Sequence, residues 1–141
     1  MPTVTLHLSP HPSHVRTARL FAVTLGRMSG LQDPALDEVR LAVGEAVSRA
    51  VRLHEDVAPH SFVSVSVSDD DVFTVIVGDD FDRDLVVEAD IFEAALAAAD
   101  GEVPPGMSLG VIRGLVEDSA VCPGPAGTGT RVTMRWPRAV A

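Results

Sequence analysis

The sequence predicts an α+β fold: a two-layer α/β sandwich in which a mixed, mostly antiparallel sheet carries its helices on one face. Three observations lead there. Two long segments, 13–28 and 33–54, repeat apolar residues at helical spacing. Two short ones flank an aspartate turn as the strands of a hairpin do: 63–67 alternates valine with serine, and the apolar run 72–77 returns. The order β-α-α-β-β-α-α-β-β sets helices in pairs between strands, which suits a sheet covered on one side.

Each element has a local reason. Val4, Leu6 and Leu8 share one face of a short strand, stopped by Ser9-Pro10-His11-Pro12. Ser13 is the expected N-cap of a helix to about Met28, with Val15, Ala18, Phe21, Ala22, Leu25 and Met28 inward and Arg16, Arg19 and Arg27 on the surface. Ser29-Gly30 ends it. Asp33-Pro34 opens a second helix to about His54, burying Leu36, Val39, Val43, Ala46, Val47 and Ala50. Val63, Val65 and Val67 alternate with serines that suit an exposed sheet face, and Val72–Val77 returns. Residues 78–87 read as a loop, Asp90–Ala99 as a third helix and Leu109–Val116 as a fourth, after the break at Pro104-Pro105-Gly106. Ala120–Cys122 is a brief strand, Pro123–Gly129 a turn, and Thr130–Trp136 the last strand.

The 141 residues fit a single domain spanning 1–141, long enough to bury a core. Hydrophobic content of 46% against 22% charged places the chain among soluble globular domains. A net charge of −9 disfavours non-specific contact with nucleic acid or an anionic membrane and suits a basic protein partner. All eleven basic residues are arginine, and none clusters with aromatic residues as a nucleic-acid footprint would. The lone Cys122 has no internal disulfide partner, which fits a reducing cytoplasm, and its strand places it in the core. No secretory signal and no membrane span is readable. His11-x-x-His14 lacks further metal ligands and reads as surface, as do His54 and His60.

Four short segments carry the functional signal. The second helix holds Glu45-Ala-Val-Ser-Arg49-Ala-Val, in a chain with no asparagine. Val75-Ile76-Val77-Gly78 runs into Asp79-Asp80-Phe81-Asp82. Gly106-Met107-Ser108-Leu109-Gly110-Val111-Ile112 and Gly127-Thr128-Gly129-Thr130-Arg131-Val132 follow. In this order and spacing, over roughly residues 12–137, they resemble the boxes of the anti-sigma factor and serine-protein kinase family within the GHKL, or histidine-kinase-like, ATPases, whose domain is the Bergerat type of α/β sandwich.

The resemblance implies a role for each matching position. Glu45 is the base or water-orienting carboxylate of an active member. Arg49 stands where the family's Asn supplies an oxygen to Mg²⁺. Asp79 is the residue that accepts the adenine amino group, but the glycines that should follow it are missing. Gly106, Ser108, Leu109 and Gly110 form a phosphate-receiving helix start, with Ser108 replacing a glycine, and Thr130 opens the final strand. Arg49 has five donors and no acceptor, so it cannot ligate a metal. It is left to pair with Glu45 at i,i+4 as an ordinary surface pair, or to contact phosphate directly. ATP and Mg²⁺ are therefore possible cofactors whose pocket is altered at both ends. The resemblance implies a bacterial, cytoplasmic transcription regulator that binds a sigma factor or a STAS-domain anti-anti-sigma factor, with Phe21 and Leu25 available to a homodimer interface. The alternatives are an active ATP-dependent serine/threonine kinase acting on that antagonist, and a degenerate scaffold for another regulatory protein.

Overall fold

The computed structural model describes residues 3–55, 62–79, 105–124 and 129–137. Their elements run β1 (Val4–Leu8), α1 (His14–Met28), α2 (Asp33–Glu55), β2 (Val63–Asp69), β3 (Val72–Asp79), α3 (Pro105–Leu115), β4 (Asp118–Pro123) and β5 (Thr130–Pro137). The strands form one sheet in the order β1-β2-β3-β5-β4, and every ladder among the described residues is antiparallel. The helix expected at 90–99, the loop expected at 80–87 and residues 125–128 of the expected turn lie outside the described residues.

The core lies between the helices and one sheet face. Period-2 alternation sends Val63, Val65, Val67, Phe73 and Val75 into it with no exposed surface, while Ser64, Ser66 and Ser68 stay partly exposed on the other face. Helix α2 packs against α1, α3, β2 and β3. Its stripe Val39, Val43, Ala46, Val47 and Ala50 is at most 1% exposed, as the helical spacing predicts. Trp136 closes one end: its ring lies 6.3 Å from that of Phe73, and its indole N–H donates to Glu38 Oε1 at 3.4 Å.

Element ends depart from expectation in instructive ways. Ser13 does precede α1, but its backbone is helical and its hydroxyl meets His11 Nδ1 at 2.7 Å instead of capping the helix amides. Gly30 ends α1 with φ +91, and its N–H donates to the Arg27 carbonyl while that of Leu31 donates to Gly26, a left-handed stop open to glycine at little cost. Met28, expected inside, is 75% exposed because the helical rotation turns it away from the face that buries Ala18, Ala22, Val23 and Gly26. Phe21 and Leu25 pack partly against the core. Gly78 and Asp79 belong to β3, not to a following loop, since β5 continues to pair with them through Arg131 and Thr130. Helix α3 begins four residues earlier than expected, at Pro105, whose missing N–H costs nothing at a first helical position.

Candidate functional site

Glu45 and Arg49 are one turn apart on α2, on the flank of its buried stripe. The i,i+4 pair expected between them does not form. Arg49 is 1% exposed and turns toward the sheet, where Nη1 lies 3.6 Å from Oδ2 of Asp79, the last residue of β3. The other oxygen of the same carboxylate, Oδ1, lies 3.5 Å from Nε2 of His54. The three side chains are 1%, 3% and 0% exposed, so the cluster is sealed from water. At these separations both contacts are longer than ordinary hydrogen bonds, and the one between Arg49 and Asp79 is ionic. Their strength comes from the low local dielectric, which leaves the attraction poorly screened.

Burial lowers the Arg49 pKa from its ordinary value; Asp79 opposes that shift and nearby Arg52 adds to it. Charge removed from water is expensive, and the carboxylate offsets part of that cost. Arg49 Nε and Nη2 are also buried and have no hydrogen-bond partner among the described residues. Glu45 stays partly exposed, so the carboxylate that the resemblance marks as catalytic is not occupied by Arg49.

The remaining positions divide. Thr130 is 8% exposed and lies directly across from Asp79 in the β3–β5 ladder, so the fold brings these two together below Arg49. Gly106 and Ser108 lie inside the first turns of α3, where a loop before the helix was expected. Leu109 is 3% exposed and belongs to the hydrophobic core. Among the described residues a Cβ placed on Gly110 meets nothing within 4 Å, so none of them imposes a steric demand for glycine there. Cys122 is exposed, not buried, because β4 is an edge strand and its alternation turns Val121 inward.

His54 is the member of the cluster that sequence reasoning placed on the surface. The signal was present. Position 54 follows Ala50 by four and Val47 by seven, so it continues the buried stripe of α2. An imidazole at the end of such a stripe needs a polar partner, and Asp79 faces it.

The chemistry of this arrangement does not fit a magnesium ion at position 49. A guanidinium offers only donors, and a buried positive charge repels the cation. Among the described residues no group of three or more His, Cys, Asp or Glu side chains is placed to hold a metal. An adenine amino group would also meet an aspartate whose two oxygens already face Arg49 and His54.

The cluster predicts unequal costs for breaking ion pairs. Asp79→Ala strands a buried guanidinium and should cost roughly 3–5 kcal/mol in chemical denaturation. Arg40→Ala breaks a pair with Asp37 whose side chains are 49% and 69% exposed, and should cost about 1 kcal/mol or less. Equal costs would show that the buried cluster does not hold the fold.

No curated protein matches the chain significantly. Among solved structures, that of the RsbU and RsbW domains of Rv1364c from Mycobacterium tuberculosis matches with a TM-score of 0.61 at 19% identity. The match covers 100% of this chain and 35% of that one, and at this identity the likeness is one of fold. The family profile of the histidine kinase-like ATPase domain matches residues 8–136, and the chain belongs to that family.

Proposed function

We propose that this chain is an anti-sigma type regulator that works by binding a partner protein, a sigma factor or its STAS-domain antagonist, with ATP binding weakened or lost. One observation carries the reading: Asp79, the position that the family resemblance assigns to adenine, is held from both oxygens by Arg49 and His54. Arg49 comes from the position that the resemblance assigns to Mg²⁺. A single substitution therefore acts at both ends of the nucleotide pocket, removing a metal ligand and engaging the base reader. Membership of the family and the fold shared with an RsbW domain support the partner class. A cytoplasmic location belongs to the same proposal; no helix among the described residues is long and apolar enough to cross a membrane.

A second reading keeps the nucleotide and the serine/threonine kinase activity. Glu45 remains partly exposed, and Arg49 Nε and Nη2 have no described partner, so a phosphate oxygen could accept from them without a metal. Metal dependence separates the two readings.

Calorimetric titration with ATP and Mg²⁺ should give a Kd weaker than about 100 μM, or less than about 5.5 kcal/mol of binding free energy. Arg49→Asn should make whatever affinity remains more dependent on Mg²⁺. Micromolar, Mg²⁺-dependent binding by the unaltered chain would overturn the loss of ATP binding, and tight Mg²⁺-independent binding would favour direct phosphate contact by Arg49. The partner class is checked by pull-down from the source cells in EDTA. Recovery of a sigma factor or STAS protein is expected there, and recovery with Mg-ATP alone would favour the working kinase.

A further inference from the structure

The described surface also carries a cationic cleft on the side of α2 away from Asp79. It lies between the N-terminal half of α1 and the middle of α2, with a volume of about 510 Å³. Arg16, Arg19 and Arg52 line it, with Ser48 and the apolar side chains of Val15 and Val51, and no carboxylate stands among the described lining residues. This gathers three of the eleven arginines of a chain whose net charge is −9. Arg16 and Arg19 form no ion pair with any described residue, unlike Arg40 with Asp37 or Arg135 with Asp118. The first turn of α1, at the mouth of the cleft, carries no acidic residue.

Arg19 is also seated. Its guanidinium lies over Gly44, in the interior of α2, so closely that a Cβ on Gly44 would collide with Nε and stand 2.8 Å from Nη2. Glycine within a helix costs about 1 kcal/mol relative to alanine. Here it leaves room for the arginine to lie against the helix within the lining of the cleft. Arg16 and Arg19, one turn apart on α1 and without an ion-pair partner among the described residues, repel each other, and an anion relieves that repulsion. Arg52 is felt as far as buried Arg49, whose pKa it lowers.

We propose that this cleft is a metal-free binding site for a phosphate-bearing small molecule, separate from the family's nucleotide boxes. Guanidinium forks recognise phosphate oxygens in pairs. The helix N-terminus adds a favourable field. The volume falls within the range of small-ligand pockets, about 300–1,000 Å³, and Val15 and Val51 give an apolar surface to the rest of the ligand. An acidic protein segment shares the charge but not the need for a concave, partly apolar floor.

The probe is inorganic pyrophosphate, added in EDTA at low ionic strength to the full chain, with the arginine Nε–H signals followed by NMR. Saturable shifts confined to Arg16, Arg19 and Arg52 are expected, with a Kd below about 1 mM. Arg19→Gln should weaken binding about tenfold or more. Gly44→Ala should weaken it too, by displacing Arg19, while its melting temperature stays equal or rises. The proposal fails if both variants bind as tightly as the parent. It fails as well if shifts spread evenly over all arginines, if no saturation occurs by about 10 mM, or if an acidic peptide saturates the cleft and pyrophosphate does not.

Discussion

Val39, Val43, Ala46, Val47 and Ala50 bury one face of α2 between the sheet and the flanking helices, and every feature of the site depends on that burial. It fixes the rotation of α2 about its axis. With that rotation set, Arg49 and His54 come to the end of β3, Glu45 stays at the flank, and Ser48 and Arg52 turn outward to meet α1. Antiparallel pairing of β3 with both β2 and β5 sets Asp79 beneath the helix, opposite Thr130. The ionic cluster is thus a consequence of two registers, one helical and one of sheet.

The cluster is a costly choice energetically. A guanidinium, an imidazole and a carboxylate are withdrawn from water, and two nitrogens of Arg49 have no described hydrogen-bond partner. Replacing a buried ion pair by apolar residues is often neutral or stabilising, so such a pair is a poor route to stability alone. Its value lies in what it occupies. The family resemblance of the sequence assigns the same ground to nucleotide and metal. A cation built into the chain sits where a bound cation is expected, and its carboxylate partner is the expected base reader. Under the proposed function, such a domain acts by recognition through its surfaces.

Much of this was legible from the residues. The apolar stripe of α2 and the alternation of Val63, Val65 and Val67 determine layers and core, because burial enforces a period that sequence displays directly. The four boxes located Arg49, Asp79 and Thr130, which the fold brings to one place. What sequence could not display was partner choice. Glu45 is the nearer neighbour of Arg49 along the helix, yet Asp79 wins, because a buried carboxylate attracts a cation more strongly than a solvated one. His54 was missed because a polar residue was assigned to the surface by type, not by its place on the stripe. The cleft was illegible because Arg16, Arg19, Gly44 and Arg52 meet only when α1 and α2 pack together.

The central claim is that Arg49 and Asp79 are energetically coupled across the expected nucleotide pocket. A double-mutant cycle measures this directly, using Arg49→Met, Asp79→Asn and the double variant in equilibrium denaturation. The account predicts a coupling energy of about 1.5 kcal/mol or more, in the range of residues that share a buried network. Additive effects, within about 0.5 kcal/mol, would mean that the two side chains are neighbours without being partners, and would contradict it.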